Sequence, residues 1–355
     1  MSSEFRELLK KIGSGAHTHK NLTRLQASLA LEMMLNGEAT PAQIGAFLIA
    51  HRIKRPTGEE LAGMLDSYTK LGVTLSNINN SSYPLTIFGI PYDGRTRFAP
   101  ISPLTALILS SIELPVLMHG GTKMPTKYGL TLAEIWRELG IDLTQLSLSQ
   151  VEKLLNDTHF GFLYLPQHFP LAHKLVQYRE EIGKRPPIAT LELIWQPYEG
   201  HSHLIAGYVH PPTEKMIREA LLLRGITKFT LIKGLEGSPD LKLDQTNIIV
   251  IDSPKSEEGF EYLKVNPLHY DLKGKDPSLS DHQEYFNQLK RTIAGENTPL
   301  TMSTILNGGF YLWRCGVTSS IEQGLTLVES LIKEGKLQTQ LERMENGKWR
   351  IENEE

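Results

Sequence analysis

The residues best suited to chemistry fall in two stretches, each directly after an apolar run that reads as a β-strand. The first is Gly89-Ile90-Pro91-Tyr92-Asp93-Gly94, followed by Arg95, Arg97 and Pro100-Ile101-Ser102-Pro103. Ser102 at a helix N-cap, with Pro103 in the first turn, leaves free backbone N–H groups at the positive end of a helix dipole, which suits an anion. The second is Met118-His119-Gly120-Gly121-Thr122-Lys123, running on to Lys127 and Gly129. Its glycines let the backbone approach a ligand closely, and its lysines bring charge. Either stretch alone reads equally well as an ordinary helix start or a solvated turn. Two anion-suited loops, both at strand ends, point to one shared phosphate site.

Among the histidines, neither His119 nor His168 has a partner at metal-ligand spacing. His201 and His203 share a strand face but read as surface residues. No Ser-His-Asp or Cys-His pattern emerges, so covalent catalysis is not suggested. Cys315, the single cysteine, sits in LWRCGV as a small buried hydrophobe and rules out an internal disulfide.

The elements that position these residues follow from periodicity and caps. Residues 1–75 read as a helical domain: Phe5, Leu8, Leu9 and Ile12 form one stripe, and Thr23–Gln26, Thr40–Gln43 and Thr57–Glu60 are capping boxes. After a polar linker over 76–82 the texture changes. Strands are expected at 85–88, 114–118, 162–165, 202–209, 228–233 and 247–251, with helices such as 103–111, 132–139, 213–224 and 283–294 between and after them. That alternation predicts an α/β domain over 83–345, with a central, mostly parallel sheet flanked by helices. A helix is expected across 166–185, a loop across 191–200, a last pair of helices after a Ser319–Glu322 capping box, and a polar tail over 346–355.

The net charge of −3 over 355 residues creates no global field to draw in nucleic acid or an anionic membrane. A local basic face is still open: Lys10, Lys11, Lys20, Arg24, Arg52, Lys54 and Arg55 all lie in the helical domain. The charged N-terminus does not read as a signal peptide, and no stretch reaches the roughly 18 apolar residues needed to span a bilayer. A cytoplasmic location is expected.

The run NGEATPAQIGAFLIAHRIKRPTGEELAGML, together with LPVLMHGG, TKYG, GFLYLPQHFP, YREEIGKRP and LNGGFYLWRCGVTSSIEQGLTLVESLIKEGK, resembles the anthranilate phosphoribosyltransferase family, glycosyltransferase family 3, over nearly the whole chain. The resemblance implies a nucleoside phosphorylase/phosphoribosyltransferase-like fold in which the helix around 168–183 joins the helical domain in space. It also implies a homodimer through the N-terminal helices, Mg²⁺ with no organic cofactor, and a role in tryptophan biosynthesis. The family's GTGGDG turn, which grips the diphosphate of phosphoribosyl pyrophosphate, matches Gly89 to Gly94 with three of six positions changed. Pro91 lacks an N–H, and Tyr92 puts a ring where a glycine stood. The family's NIST matches Pro100 to Pro103, keeping Ser102; KHGN matches Met118 to Gly121, keeping His119 and Gly120; Lys127 and Gly129 keep the pattern of SSKSG. The metal-binding Asp-Glu pair falls about where Pro239-Asp240 stands, with Glu236 nearby; Arg179 corresponds to the arginine that holds the anthranilate carboxylate, and the resemblance implies that His119 and His168 lie in stretches lining the ligand cleft, His168 near the acceptor. The altered turn is similar to that of a divergent branch, some of whose members lack the transferase reaction and bind nucleic acid. The sequence thus predicts a protein that transfers or binds a phosphoribosyl, nucleotide or other phosphate-bearing ligand, with ordinary anthranilate transfer weak or absent. The alternative is a non-catalytic, nucleic-acid-binding homodimer.

Overall fold

A computed structural model describes residues 3–15, 17–76, 78 and 81–347. Part of the expected linker, and all of the expected tail but its first two residues, lie outside them. Four helices open the chain: α1 (Ser3–Gly13), α2 (Arg24–Leu35), α3 (Pro41–Lys54) and α4 (Gly58–Leu71). Thr23, Thr40 and Thr57 each cap their helix, accepting from the backbone N–H three residues on, with both halves of the capping box formed. Phe5, Leu8 and Ile12 bury the stripe of α1, and Phe5 packs against Phe47 of α3 at 5.5 Å between ring centroids.

The larger domain is built on a seven-stranded sheet in the order β3-β2-β1-β4-β5-β6-β7. The strands are β1 (Leu85–Gly89), β2 (Val116–Gly120), β3 (Phe160–Tyr164), β4 (Ser202–Gly207), β5 (Phe229–Ile232), β6 (Asn247–Asp252) and β7 (Phe260–Val265). The first five run parallel, and β6 and β7 close one edge antiparallel. β1 and β2 are buried along their whole length because helices cover both faces of a parallel sheet. The edge strand β7 escaped the sequence reading: Glu261, Tyr262 and Lys264 face solvent, so its apolar run is broken.

The helices of this domain are α5 (Ser102–Ser111), α6 (Leu132–Glu138), α7 (Leu148–Thr158), α8 (Leu165–His168), α9 (Pro170–His173), α10 (Val176–Ile182), α11 (Ile188–Leu193), α12 (Pro211–Leu223), α13 (His282–Ile293), α14 (Thr301–Arg314), α15 (Ile321–Lys333) and α16 (Lys336–Glu345). The single helix expected over 166–185 is three short ones, interrupted at Phe169, where Pro170 cannot continue the hydrogen-bond ladder, and again at Lys174-Leu175. The stretch expected as loop carries the end of α11. The cap of α15 is Ser320, accepting from Gln323 N–H, one residue later than the expected Ser319–Glu322 box. β2 begins at Val116 and runs two residues past the expected Met118, and β1 ends one residue late. Consequently Gly89, His119 and Gly120, expected in loops, lie within strands.

Candidate functional site

The two motif loops meet at the carboxyl ends of β1 and β2, where ligands gather in open α/β sheets. Pro91 to Gly94 forms a turn closed by Gly94 N–H donating to the Pro91 carbonyl at 3.1 Å, with Gly94 at φ +79°. Gly129 N–H donates to Asp93 O at 2.9 Å, and Arg95 and Leu130 exchange both backbone bonds at 3.1 and 2.9 Å, so the loops are zipped together. A Cβ on Gly94 would lie 2.4 Å from the Gly129 carbonyl carbon. The space beside the other glycines is filled by protein. A Cβ on Gly89 would lie 1.7 Å from the Leu193 carbonyl oxygen, one on Gly121 would lie 2.7 Å from the Met124 methyl, and one on Gly120 would lie 3.3 Å from the Phe162 ring.

Tyr92 turns inward from this turn and is buried. Its hydroxyl lies 2.5 Å from Nδ1 of His119, and the two rings meet edge to face at 5.5 Å. Burial raises the Tyr92 phenol well above its ordinary value, so it stays protonated and donates to the imidazole. His119 also packs against Trp195 at 5.5 Å, and burial pushes it down to about 4 against a smaller opposing pull from the Trp195 backbone. What remains open beside Tyr92, His119, Gly120 and Gly121 is a cavity of about 10 Å³. That is room for one water at most.

This buried neutral histidine predicts acid sensitivity. Its folded value near 4 lies below the ordinary 6.5, so the unfolded chain takes up the proton first as pH falls. The stability it supports is complete above pH 6.5 and drains away between 6.5 and 4, by about 2 kcal/mol at pH 5. Burial lowers His203, His51, His168 and His173 as well, so urea unfolding at pH 7 and pH 5 is expected to show a loss in the wild type that exceeds the loss in a His119→Gln variant by about this increment.

Below the turn, the groups suited to an anion already hold one. Glu236, at φ +52°, aims its carboxylate at the backbone N–H groups of Thr96, Arg97 and Phe98, at 3.3, 2.9 and 3.0 Å. Lys127 Nζ stands 3.2 Å and Arg95 Nε 3.5 Å from it. Burial alone would raise this carboxyl, but the N–H donors of Arg97 and Phe98 and the charges of Arg95 and Lys127 outweigh it and hold Glu236 at about 2. Asp240 sits at the N-terminus of α5, accepting from Ile101 N–H at 3.1 Å, from Ser102 Oγ at 2.6 Å and from Arg95 Nη1 at 2.7 Å. Ile101, not Ser102, is the N-cap, and Ser102 is the first helical residue, spending its hydroxyl on Asp240. A backbone nest and a helix start both favour an anion, and here the protein's own carboxylates occupy them.

These bonds also decide how Asp240 and Glu236 fit a metal. Each carboxylate is committed to N–H donors and cations that repel a second positive ion. Among the described residues no group of three or more His, Cys, Asp or Glu is placed to hold one. The arrangement does not fit the two-carboxylate Mg²⁺ site the resemblance implies.

The remaining candidates are tied into the scaffold. Asp93 is buried with Arg185 Nη1 at 3.4 Å. His168 accepts from Tyr164 N–H and donates to the Leu146 carbonyl, both at 2.9 Å, so its two ring nitrogens brace backbone. Arg179 is buried, pairs with Glu192 and donates to Met124 Sδ at 3.0 Å. Burial raises Glu192, with Arg179 opposing. Sequence reasoning missed Glu192 and Trp195; an acid inside the apolar run Leu191-Glu192-Leu193-Ile194 was the available signal. His203, expected at the surface, is buried with Nε2 2.8 Å from Thr230 Oγ1. The basic residues of the helical domain do not form one free stripe: Lys54 is buried on Glu60 at 2.6 Å, Arg24 pairs with Asp66 at 2.6 Å, and Lys10 pairs with Glu7 at 2.7 Å. Cations stand instead around the closed cleft, with side-chain exposures of 72% for Arg97, 51% for Lys123, 30% for Arg185 and 26% for Lys127.

No helix among the described residues is long and apolar enough to cross a membrane. The chain matches the glycosyl transferase family helical bundle domain over residues 6–72 and the glycosyl transferase family a/b domain over residues 93–338. It is 28% identical to the anthranilate phosphoribosyltransferase of Acetivibrio thermocellus over 93% of both chains. It is 27% identical to that of Caldicellulosiruptor saccharolyticus over 92% of this chain and 95% of the other. The crystal structure of the Thermus thermophilus enzyme superposes with a TM-score of 0.76 at 22% identity, covering 97% of this chain and 98% of that one. The Saccharomyces cerevisiae enzyme in complex with PRPP and Mg gives 0.81 at 17% identity, covering 97% of each chain. A helical bundle followed by an α/β domain is the architecture that the two matched domains describe, and the chain belongs to this glycosyl transferase family.

Proposed function

We propose that this protein has lost ordinary phosphoribosyl transfer to anthranilate and binds phosphate-bearing ligands at the rim of a closed cleft. The observation that carries the reading is the pair of carboxylates, Glu236 and Asp240, seated on backbone N–H groups and cations that suit an anion, directly after the Gly89 to Gly94 turn that matches the family's diphosphate grip. In phosphoribosyl transfer an amine displaces diphosphate from the sugar, and the rate comes from positioning and from donors that neutralise the leaving group. Here those donors are taken, Tyr92 fills the turn above them, and the Arg179 guanidinium is already neutralised by Glu192.

A second reading, that the ligand is a nucleic-acid backbone, is favoured by the exposed Arg97 at the rim, 3.9 Å from Glu236; Lys123, Lys127 and Arg185 near it are already paired with Glu134, Glu236 and Asp93. In either case pairing of two copies through the N-terminal helices is carried over from the family resemblance alone.

Calorimetric titration tests both. With phosphoribosyl pyrophosphate at millimolar concentration anthranilate is not consumed, and the heat expected is that of weak, salt-screened rim binding, the same with and without Mg²⁺. A single-stranded oligonucleotide is expected to bind with an affinity that falls steeply with salt if the second reading holds. Saturable donor binding together with product formation would refute the loss of transfer.

A further inference from the structure

A short helix closes one side of the cleft, and the chain breaks at both of its ends. α10 has seven residues, Val176–Ile182. Before it the hydrogen-bond ladder stops at Lys174-Leu175; after it Gly183 takes the left-handed conformation at φ +59°, and Pro186-Pro187 cannot carry a helix on. The second break is anchored. Arg52 Nη1 of α3 donates to the Arg185 carbonyl at 2.5 Å, so this junction hangs on the helical domain. α10 is a rigid rod between two joints.

The segment is tied to the two motif loops at the rim and beneath. At the rim Tyr128, 49% exposed, gives its hydroxyl to Glu180 of α10, and Arg185 Nη1 reaches Asp93 Oδ2 at 3.4 Å. Water competes with such contacts, and each adds little. Beneath, Tyr178 and Arg179 form the buried underside of the helix, and Arg179 Nη1 donates to Met124 Sδ at 3.0 Å. Closure there is imperfect. Among the described residues Asp93 Oδ1 has no donor and Arg179 Nε no acceptor, although both side chains are only 2% exposed. A buried acceptor and a buried donor left unpaired favour a state in which water reaches them.

We infer that α10 is a lid, which swings off the two motif loops about Lys174-Leu175 and Gly183–Pro187 while the sheet beneath stays folded. Opening wets Asp93 and Arg179 and uncovers Met124, which is fully buried when the lid is shut. Arg185 is the catch. Its side chain holds the turn and its carbonyl holds α3, so its release leaves the buried Asp93 carboxylate without its cation. Access to the cleft is thus set by the protein itself, whatever ligand the rim takes.

Oxidation by hydrogen peroxide tests this on the full chain without ligand, because a methionine must meet solvent to become its sulfoxide. Met124 is expected to oxidise at least about tenfold faster than Met118, which is equally buried within β2. Tyr128→Phe should raise the Met124 rate about threefold. Arg185→Ala should raise it at least about tenfold, since it leaves a buried carboxylate unpaired, and Arg185→Lys should return most of the difference. Amides of α10 should exchange with deuterium faster in the same order, with those of β1 and β2 unchanged. Should Arg185→Ala unfold the chain, the ratio of Met124 to Met118 rates in the wild type and in Tyr128→Phe decides alone. Equal rates for the two methionines, a Met124 rate that neither rim variant changes, or Met118 and the strand amides rising in step with Met124 overturns the lid.

Discussion

Replacing Asp240 by alanine is expected to lower the unfolding free energy by about 3 to 5 kcal/mol and to make the remaining stability depend on inorganic phosphate. The carboxylate is buried and closes four needs at once: the Ile101 N–H, the Ser102 hydroxyl, the start of α5 and one edge of the Arg95 guanidinium. Removing it leaves a buried cation with only Glu236, at 3.5 Å, to balance it. Breaking one side of a buried pair costs far more than the pair contributes. The vacated place is a helix N-terminus beside Arg95, so a phosphate ion can stand in for the lost group. At a hundredfold excess over its dissociation constant it would return about 2.7 kcal/mol. Urea titrations with and without phosphate measure both parts. The wild type should gain nothing comparable, because its anion place is filled; equal gains in the two proteins would contradict that.

Replacing Tyr92 by alanine is expected to cost about 3 to 5 kcal/mol without restoring donor binding. The ring is buried against His119, and its hydroxyl supplies the partner of Nδ1, so the change opens a cavity and strands an imidazole nitrogen. Tyr92→Phe separates the contributions: it keeps the packing and should cost only about 1 to 3 kcal/mol for the unpaired nitrogen. Neither variant touches Glu236 or Asp240, so the diphosphate donors stay occupied. Tyr92, Glu236 and Asp240 act as three locks, and only Tyr92→Gly combined with Glu236→Ala and Asp240→Ala should let titration calorimetry detect Mg²⁺-dependent binding of phosphoribosyl pyrophosphate between the loops. Donor binding by the Tyr92 variant alone would show that the ring is the sole obstruction.

Much of this was legible in the residues. The threonine capping boxes of α2, α3 and α4 are local, because a side chain and a backbone N–H three residues on need no tertiary context. The apolar runs of β1 and β2 were equally plain, since strands covered on both faces carry no polar interruption. The substitutions at Pro91 and Tyr92 marked the altered turn. What the chain could not reveal was the destination of Glu236 and Asp240. Their bonds to Thr96–Phe98 and to Ile101–Ser102 span about 140 residues, the distance between two strand-end loops that only the sheet order brings together. Arg179 and His168 were placed at an acceptor site by the family resemblance, and nothing in the sequence signalled that Arg179 pairs with Glu192 or that His168 braces the backbone at Tyr164 and Leu146. β7 and the true limits of α11 were lost because an exposed edge strand and a short helix lack a clean period.

The most direct test is electron density from crystals grown with millimolar phosphoribosyl pyrophosphate and Mg²⁺. The account predicts Glu236 bonded to the Thr96 to Phe98 amides, Asp240 on Ser102, and Tyr92 against His119, with no sugar diphosphate between the two loops. A donor seated there, its diphosphate on those same amides and the carboxylates swung away, would contradict it.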